Sequence, residues 1–398
     1  MLSKHHRKPS KERASRRGRS HSSKALIYSA PSYTTNLMVK TLHRLKSVIL
    51  SSLLLSLLAF ATLLSTAAQP NVGRVKSGGT LVVASGTDPG HLMNAVTTAT
   101  SVDIVNRLIY EPLVNLDFNF NLVPRLAQSW DVSADHLTIT FHLVRNASWS
   151  DGVPFTSADV KFTYEQVSGK YHPRTSKFVQ NYVQSIETPD DYTVAFKLKS
   201  EYGPVFGFMA GGNGMGRLFP KHVWEQSVGS VDALLANPAA LKPIGTGPFL
   251  LQEWVKGDHL TLVRNPDYWR KDLPYLDRIV VRIVPDPIMR IVALESGEVD
   301  LVPQTQVPQS EVPRLLKDPR FTVALSPTGH EGSAAFMYLY FNVKRRPFDN
   351  VLVRQAVAHA LDRSLMIERA TYGLAKPVTG PISANLAWAY TADVPQYP

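Results

Sequence analysis

An uncharged apolar run of 17 residues at positions 48–64, VILSSLLLSLLAFATLL, constrains this chain more than any other feature. Three basic residues stand just before the run, and the small residues STAA follow it. A basic region, an apolar region and a small-residue exit are the three parts of a secretory signal peptide. We therefore predict a signal peptide over residues 38–68, cleaved after Ala67 or Ala68. An uncleaved membrane anchor is the weaker alternative, because the run has only the minimum length for a spanning helix.

The excess of positive charge lies entirely before this run. The chain of 398 residues has a formal net charge of +11, and residues 1–47 contain 12 Lys and Arg against one acid. Residues 48–398 contain 31 bases and 31 acids, so the body is neutral. A nucleic-acid-binding groove needs basic excess on the body itself, which disfavours that class of protein. We predict a disordered basic extension at residues 1–37, which a true start at Met38 would remove.

The sequence contains no cysteine. This excludes a thiolate nucleophile, a thiolate zinc site, an iron–sulfur cluster and a disulfide. It also excludes the lipidated cysteine that would tether an exported bacterial protein to its membrane. We therefore expect a mature protein that is free in the periplasm and not lipidated.

Hydrophobic periodicity predicts a mixed α/β fold without a strict alternation of strands and helices. Buried or alternating apolar runs predict strands at 80–85, 137–144, 192–199, 260–264 and 278–284, and residues 336–341 are also strongly β-prone. Apolar residues at helical spacing predict helices at 102–116, 156–167, 288–296 and 349–372.

Motifs of known catalytic and metal sites are missing from the sequence. The glycine-rich stretch at 211–216 fits neither a dinucleotide-binding motif nor a phosphate-binding loop. No nucleophile elbow of the G-x-S-x-G type occurs. The eight histidines of the body never stand four residues apart, which makes a metal site unfavourable. We therefore assign no catalytic residue, no metal ligand and no cofactor.

Four blocks of the chain together resemble one known family. They are residues 78–114; residues 122–164, with LVPRLAQSWDVSADHLTITF; residues 243–300, with PIGTGPFLLQEW and NPDYWR; and residues 338–373, with YLYFNVKRRPFDN. Their order, spacing and content resemble the extracellular solute-binding proteins of family 5, the peptide/nickel type, which capture solutes for ABC importers. The GTGP and NPDYW segments also suit tight turns, so a scaffold role is the simpler interpretation for them.

The resemblance implies a fold of the periplasmic binding protein type II kind, with two lobes around a hinge and an additional subdomain. We divide the mature chain into the first part of lobe I (69–115), an inserted subdomain (116–240), the remainder of lobe I (241–342) and the start of lobe II (343–398). Family members have a longer second lobe, so we expect lobe II to be incomplete and the sequence to be a fragment. Closure around a ligand needs both walls, so we expect weak binding or none, and aggregation of the isolated product.

Ligand contacts are inferred by position from the same resemblance. The loop after the first strand supplies Thr98 and Thr100, the segment after GEVD supplies Gln304, and the run entering the second lobe supplies Tyr338 and Tyr340. Polar and aromatic side chains suit a cleft that binds a peptide by hydrogen bonds and stacking. The alternative for the two tyrosines is that they are alternate residues of a buried strand.

The resemblance finally implies a monomeric, non-enzymatic periplasmic component of an ABC importer. Such a protein captures di- or oligopeptides, or related small solutes, and delivers them to a permease in the inner membrane. Nickel is disfavoured because no paired histidines appear. An exported hydrolase acting on peptides or glycans is the alternative, and it requires a nucleophile or carboxylate pair that no motif shows.

Overall fold

The computed structural model describes residues 76–117, 121–212, 215–324, 339–377, 380, 390–391 and 393–394. The predicted basic extension and signal peptide lie outside these residues, so both stay predictions. Within the described part of the chain, no helix combines the length and apolarity that crossing a membrane requires.

Strands and helices alternate irregularly along the described residues. The strands are β1 (Thr80–Ser85), β2 (Val114–Leu116), β3 (Leu122–Pro124), β4 (Ala127–Val132), β5 (Thr138–Leu143), β6 (Val183–Asp190), β7 (Thr193–Leu198), β8 (Phe249–Val255), β9 (His259–Arg264) and β10 (Arg278–Ile283). The α-helices are α1 (Thr100–Ile109), α2 (Ser157–Phe162), α3 (Ser168–Tyr171), α4 (Thr175–Tyr182), α5 (Lys221–Trp224), α6 (Val231–Ala236), α7 (Pro287–Glu295), α8 (Val312–Leu315), α9 (Val351–Ala360) and α10 (Arg363–Thr371). A π-helix (Thr163–Val167) continues α2, and short 3-10 helices include Asn94–Val96, Gly203–Phe208, Glu225–Ser227, Pro238–Ala240 and Gln304–Gln306. The predicted α/β class is confirmed, as are the strand predicted at 80–85 and the helix predicted at 156–167.

The first four-stranded sheet has the order β1-β10-β9-β8. β1 is parallel to β10, and the other neighbours are antiparallel. Val281 lies opposite Leu260, and Ile279 lies opposite Leu262. All four side chains are buried, so β9 and β10 turn the same face to the core. The predicted strands over β9 and β10 are therefore confirmed, because their alternation follows this burial.

A second four-stranded sheet is antiparallel, with the order β4-β5-β7-β6. Phe141 of β5 lies opposite Val194 of β7, and Ile139 lies opposite Phe196. These four side chains are buried, and the rings of Phe141 and Phe196 meet edge to face with centroids 5.8 Å apart. The two strands predicted here are confirmed. The whole sheet lies within the proposed inserted subdomain (116–240), whose borders stay a prediction.

The helix predicted at 102–116 is wrong in its C-terminal part. α1 begins at Thr100 and ends at Ile109, and Tyr110 is extended, with ψ of 138°. Pro112 follows two residues later, and proline disfavours a helical backbone in the residue before it. The remaining apolar residues of the predicted helix lead into β2, so the apolar spacing continues across a change of secondary structure.

The single helix predicted at 349–372 consists of two helices, α9 and α10. Asp362 separates them, since its backbone is extended and its carboxylate accepts a hydrogen bond from Leu365 N at 2.8 Å. Aspartate is a favoured N-cap residue, so it begins a new helix at this point. In the β-prone run at 336–341, residues 339–341 are not in a strand, and the others lie outside the described residues.

Asp286 caps α7, the helix that confirms the prediction at 288–296. Its carboxylate accepts hydrogen bonds from Ile288 N and Met289 N, at 2.8 and 2.9 Å. We expect Asp286→Ala to lower the free energy of unfolding by about 1 kcal/mol, because two amides at the helix start lose their acceptor. Urea unfolding followed by circular dichroism measures the change. Asp131→Ala, at an exposed acid of β4, is the control, and an equal loss in both variants would contradict the capping role.

Candidate ligand-binding site

Three segments of the chain meet at the carboxyl edge of the first sheet. β1 and β10 are parallel, so both end at this edge. Leu301 forms a parallel bridge with Val83 of β1, and the chain that follows Leu301 therefore leaves at the same edge. Ligands of open α/β sheets bind outside the carboxyl ends of the strands. This edge is therefore the candidate binding surface of the first sheet.

Gly86, the first residue after β1, contacts the segment that follows Leu301. Its backbone N donates a hydrogen bond to Oε1 of Gln306 at 3.0 Å. A Cβ at position 86 would stand 2.7 Å from Gln306 Oε1 and 2.7 Å from Nη1 of Arg290, which is too short for an ordinary contact. A side chain at position 86 would therefore displace the ends of these two side chains.

Arg290 of α7 joins the segments at this edge. Its Nε donates to the carbonyl of Gln306 at 2.9 Å, and its Nη1 donates to the carbonyls of Val284 and Pro285 at 2.8 and 2.9 Å. The residue is only 7% exposed. Arg290 thereby fixes the chain that leaves β10 against the short helix Gln304–Gln306.

Asp88 anchors the loop that leaves β1. Its carboxylate accepts hydrogen bonds from Gly257 N at 2.6 Å, Gly90 N at 3.2 Å and Trp254 Nε1 at 3.4 Å. Burial opposes ionisation of this carboxyl, but the hydrogen bonds and the charge of Lys256 outweigh it and lower the pKa of Asp88. The ionised carboxylate thus fastens the loop to the β8–β9 hairpin.

Thr98 and Thr100 lie further along this loop, where α1 begins. Both are exposed, and Thr100 is the first residue of α1. Their proposed contact with a ligand stays a prediction.

Gln304 begins the short helix at the sheet edge. The structure therefore brings the predicted segment to the end of β1, through the hydrogen bond between Gly86 and Gln306. The side chain that makes this connection belongs to Gln306, two residues beyond the predicted one. The predicted ligand contact of Gln304 itself is not tested by these bonds.

Tyr340 lines a pocket that is formed by residues 339–357, and none of its lining residues belongs to the segments at the sheet edge. The pocket has a volume of about 510 Å³ and is lined by apolar, aromatic and basic side chains: Leu339, Tyr340, Phe341, Asn342, Arg345, Arg346, Phe348 and Val357. Tyr340 is 79% exposed, so the alternative that it belongs to a buried strand is wrong. Tyr338 lies outside the described residues, and the threonines of the first loop do not line this pocket.

Sequence patterns do not single out Gly86, Gln306 or Arg290. In the structure, Arg290 lies beside Ile291 on the buried side of α7, whereas Met289 is exposed. A charge on the buried side of an amphipathic helix indicates polar partners in the interior.

The first sheet therefore combines a parallel strand pair with polar side chains beyond its carboxyl edge. The chain belongs to the bacterial extracellular solute-binding proteins, family 5, because the sequence profile for the middle region of that family matches residues 121–398. The predicted family and its periplasmic-binding-protein fold are thereby confirmed. The predicted division into lobes stays a prediction.

Individual proteins that are similar to this chain are also binding proteins. A putative ABC transporter peptide-binding protein of Brucella ovis is 34% identical over 333 residues, which cover 82% of this chain and 59% of that protein. The periplasmic binding protein DppA of Helicobacter pylori, solved in complex with the peptide STSA, has a TM-score of 0.65 and 28% identity, over 81% of this chain and 64% of that one. The binding protein AgaA of A. tumefaciens R10, solved in complex with agropinic acid, has a TM-score of 0.62 and 30% identity, over 77% and 58%. The chain thus spans about 59% of the length of the first curated relatives it matches.

Proposed function

We propose that this chain carries a solute-binding surface of an ABC importer and captures di- or oligopeptides for a permease in the inner membrane. The observation that carries the proposal is the polar carboxyl edge of the first sheet, in a chain of family 5. Gln306 and Arg290 stand there, and the ends of their side chains occupy the space beside Gly86. Hydrogen-bonding groups at such an edge suit the main chain of a peptide.

Peptide is the favoured solute because of the names and bound ligands of the similar proteins. The Brucella ovis relative is named a peptide-binding protein, and the Helicobacter pylori protein was solved with a peptide. Other small solutes are the second possibility, since AgaA was solved with agropinic acid. Nickel stays disfavoured on the spacing of the histidines. We assign no catalytic residue, because the family consists of solute-binding proteins.

We place the mature protein in the periplasm as a monomer without a lipid anchor or nucleic-acid partner. The apolar run at residues 48–64 supports export, and the lack of cysteine excludes lipidation of a cysteine. The neutral charge of residues 48–398 supports the lack of a nucleic-acid partner.

Peptide titration of the purified chain tests this function. We expect tetra-alanine to bind only weakly, with a dissociation constant of about 1 mM, because polar groups at the sheet edge replace the water around the peptide main chain. Saturation-transfer NMR measures weak binding of this kind, with a disaccharide as the control solute. Mass spectrometry of the recovered peptide separates binding from hydrolysis. Cleaved peptide would favour the hydrolase alternative, and no signal from any di- to pentapeptide would contradict the peptide proposal.

A further inference from the structure

The guanidinium of Arg290 is a buried positive charge with neutral partners only. Its three hydrogen bonds end on the backbone carbonyls of Val284, Pro285 and Gln306. Among the described residues, no carboxylate lies within ion-pair distance of it. A buried charge without an opposite charge is costly, so such groups are almost always paired in folded proteins.

Arg217 shows what the same type of residue does elsewhere in this chain. It is as buried as Arg290, with exposures of 6% and 7%, but its Nη2 lies 3.7 Å from the carboxylate of Asp103. The fold therefore supplies an acid to one buried arginine and none from the described residues to the other. The missing negative charge at Arg290 is the observation that requires an explanation.

Arg290 also retains a hydrogen-bond donor that no described residue accepts. Its Nη1 and Nε make the three hydrogen bonds, and its Nη2 donates to no described residue. The same holds for Nε2 of Gln306, whose Oε1 accepts the hydrogen bond from Gly86 N. The two side chains are neighbours, since Nε of Arg290 donates to the carbonyl of Gln306. Two donors without a described acceptor and one positive charge thus lie beside Gly86, which has no side chain.

We propose that Arg290 and Gln306 form an anion subsite that binds a carboxylate of the solute. A carboxylate accepts two hydrogen bonds, and a guanidinium pairs with it through charge as well as geometry. The group is the C-terminus of a peptide or an acidic side chain, two sources with one chemistry. This inference rests on the proposed function, and it assigns a preference for acidic solutes to the sheet edge.

Peptides that differ only in charge test the subsite. We compare acetylated tetra-alanine with its uncharged C-terminal amide, and with the same acetylated amide in which aspartate replaces one alanine. Wild-type protein is expected to bind one of the two acids about 10- to 100-fold more tightly than the uncharged amide. The acid that binds more tightly identifies the source of the carboxylate. Equal binding of all three would overturn the subsite while leaving the proposed function intact.

Arg290→Gln is expected to bring the ratio of acid to amide affinity close to one, with a smaller loss of affinity for the amide than for the acid. A purely structural arginine would weaken both peptides alike, and that result would overturn the proposal. Arg282→Gln is the matched control, because it removes the same charge from an exposed residue of β10 that pairs with Glu298. Circular dichroism verifies that each variant is folded. Arg290→Lys keeps the charge but loses the planar fork, so we expect an intermediate ratio, and this variant decides the matter if Arg290→Gln fails to fold.

Acetate gives a readout that does not depend on peptide binding. At equal ionic strength, acetate is expected to raise the melting temperature of the wild type above its value in chloride. The melting temperature of Arg290→Gln is expected to be the same in both salts. If acetate stabilises the wild type but not Arg290→Gln, and the wild type binds no peptide, the proposed function is contradicted and the subsite is supported. Identical shifts in both proteins would overturn the subsite.

Discussion

Replacing Gly245 by alanine is expected to lower the free energy of unfolding by at least about 3 kcal/mol, or to prevent folding. A Cβ at this position would lie 2.0 Å from the carbonyl oxygen of Ile109 and 2.7 Å from its carbonyl carbon. That oxygen cannot turn away freely, because it accepts a hydrogen bond from Gly247 N at 2.8 Å. The turn after residue 244 is therefore pressed against the last turn of α1, and a methyl group would force the two apart.

Gly229→Ala is the matched control for this variant. An added Cβ there would meet no atom within 4 Å, and the residue does not have a left-handed backbone. We expect the control to change stability by less than about 0.5 kcal/mol. Chemical unfolding followed by tryptophan fluorescence measures both variants. If Gly245→Ala unfolds at the same denaturant concentration as Gly229→Ala, the proposed contact with Ile109 is wrong.

The regular strands could be predicted because their alternation directly records which side chains are buried. The pattern on β5 and β7 reappears as paired buried residues in the second sheet, with Phe141 opposite Val194. Helix ends could be predicted less well, because apolar spacing continues where the backbone changes. Pro112 ends the helical preference before β2, and Asp362 divides one apolar period into two helices.

The candidate site could be predicted only in part. The resemblance to family 5 predicts the segment at Gln304, because this segment follows the GEVD motif in the sequence. Arg290 escapes prediction because an arginine in an amphipathic helix is usually exposed, and its burial depends on carbonyls from two other segments. The exposed ring of Tyr340 lies in another pocket, so the predicted aromatic contact stays a prediction.

Glu111 is a second residue whose role sequence patterns do not indicate, and it contacts the NPDYW segment, for which they indicate only a turn. The carboxylate is buried, and Oε1 accepts a hydrogen bond from Tyr268 Oη at 2.7 Å while Oε2 accepts one from Trp269 Nε1 at 2.6 Å. The aromatic residues of the NPDYW turn therefore do more than pack. They hold the turn that follows β9 against the segment between α1 and β2.

Glu111→Ala is expected to lower the free energy of unfolding by roughly 3 to 5 kcal/mol, because two buried donors lose the carboxyl group that accepts from both. Glu187→Ala is the control, since this acid of β6 is half exposed and pairs with Lys197 on the surface. Exposed pairs of that kind contribute about 0.2 to 1 kcal/mol. Urea unfolding at neutral pH measures both variants. Equal losses would show that the hydrogen bonds of Glu111 add nothing beyond a surface ion pair.

The pH dependence of Glu111→Gln tests the same carboxyl group in a second way. Burial raises the pKa of Glu111, against the opposing effects of Trp269, Tyr268 and the charges of Arg125 and Arg270. A raised folded-state pKa contributes stability below the unfolded-state pKa, and that contribution is lost as the pH rises through the folded-state value. The glutamine does not titrate, so the stability gap between wild type and variant is expected to be larger at about pH 5 than at about pH 8. A gap that widens toward higher pH would mean that the fold favours the ionised carboxylate, contrary to the effect of burial.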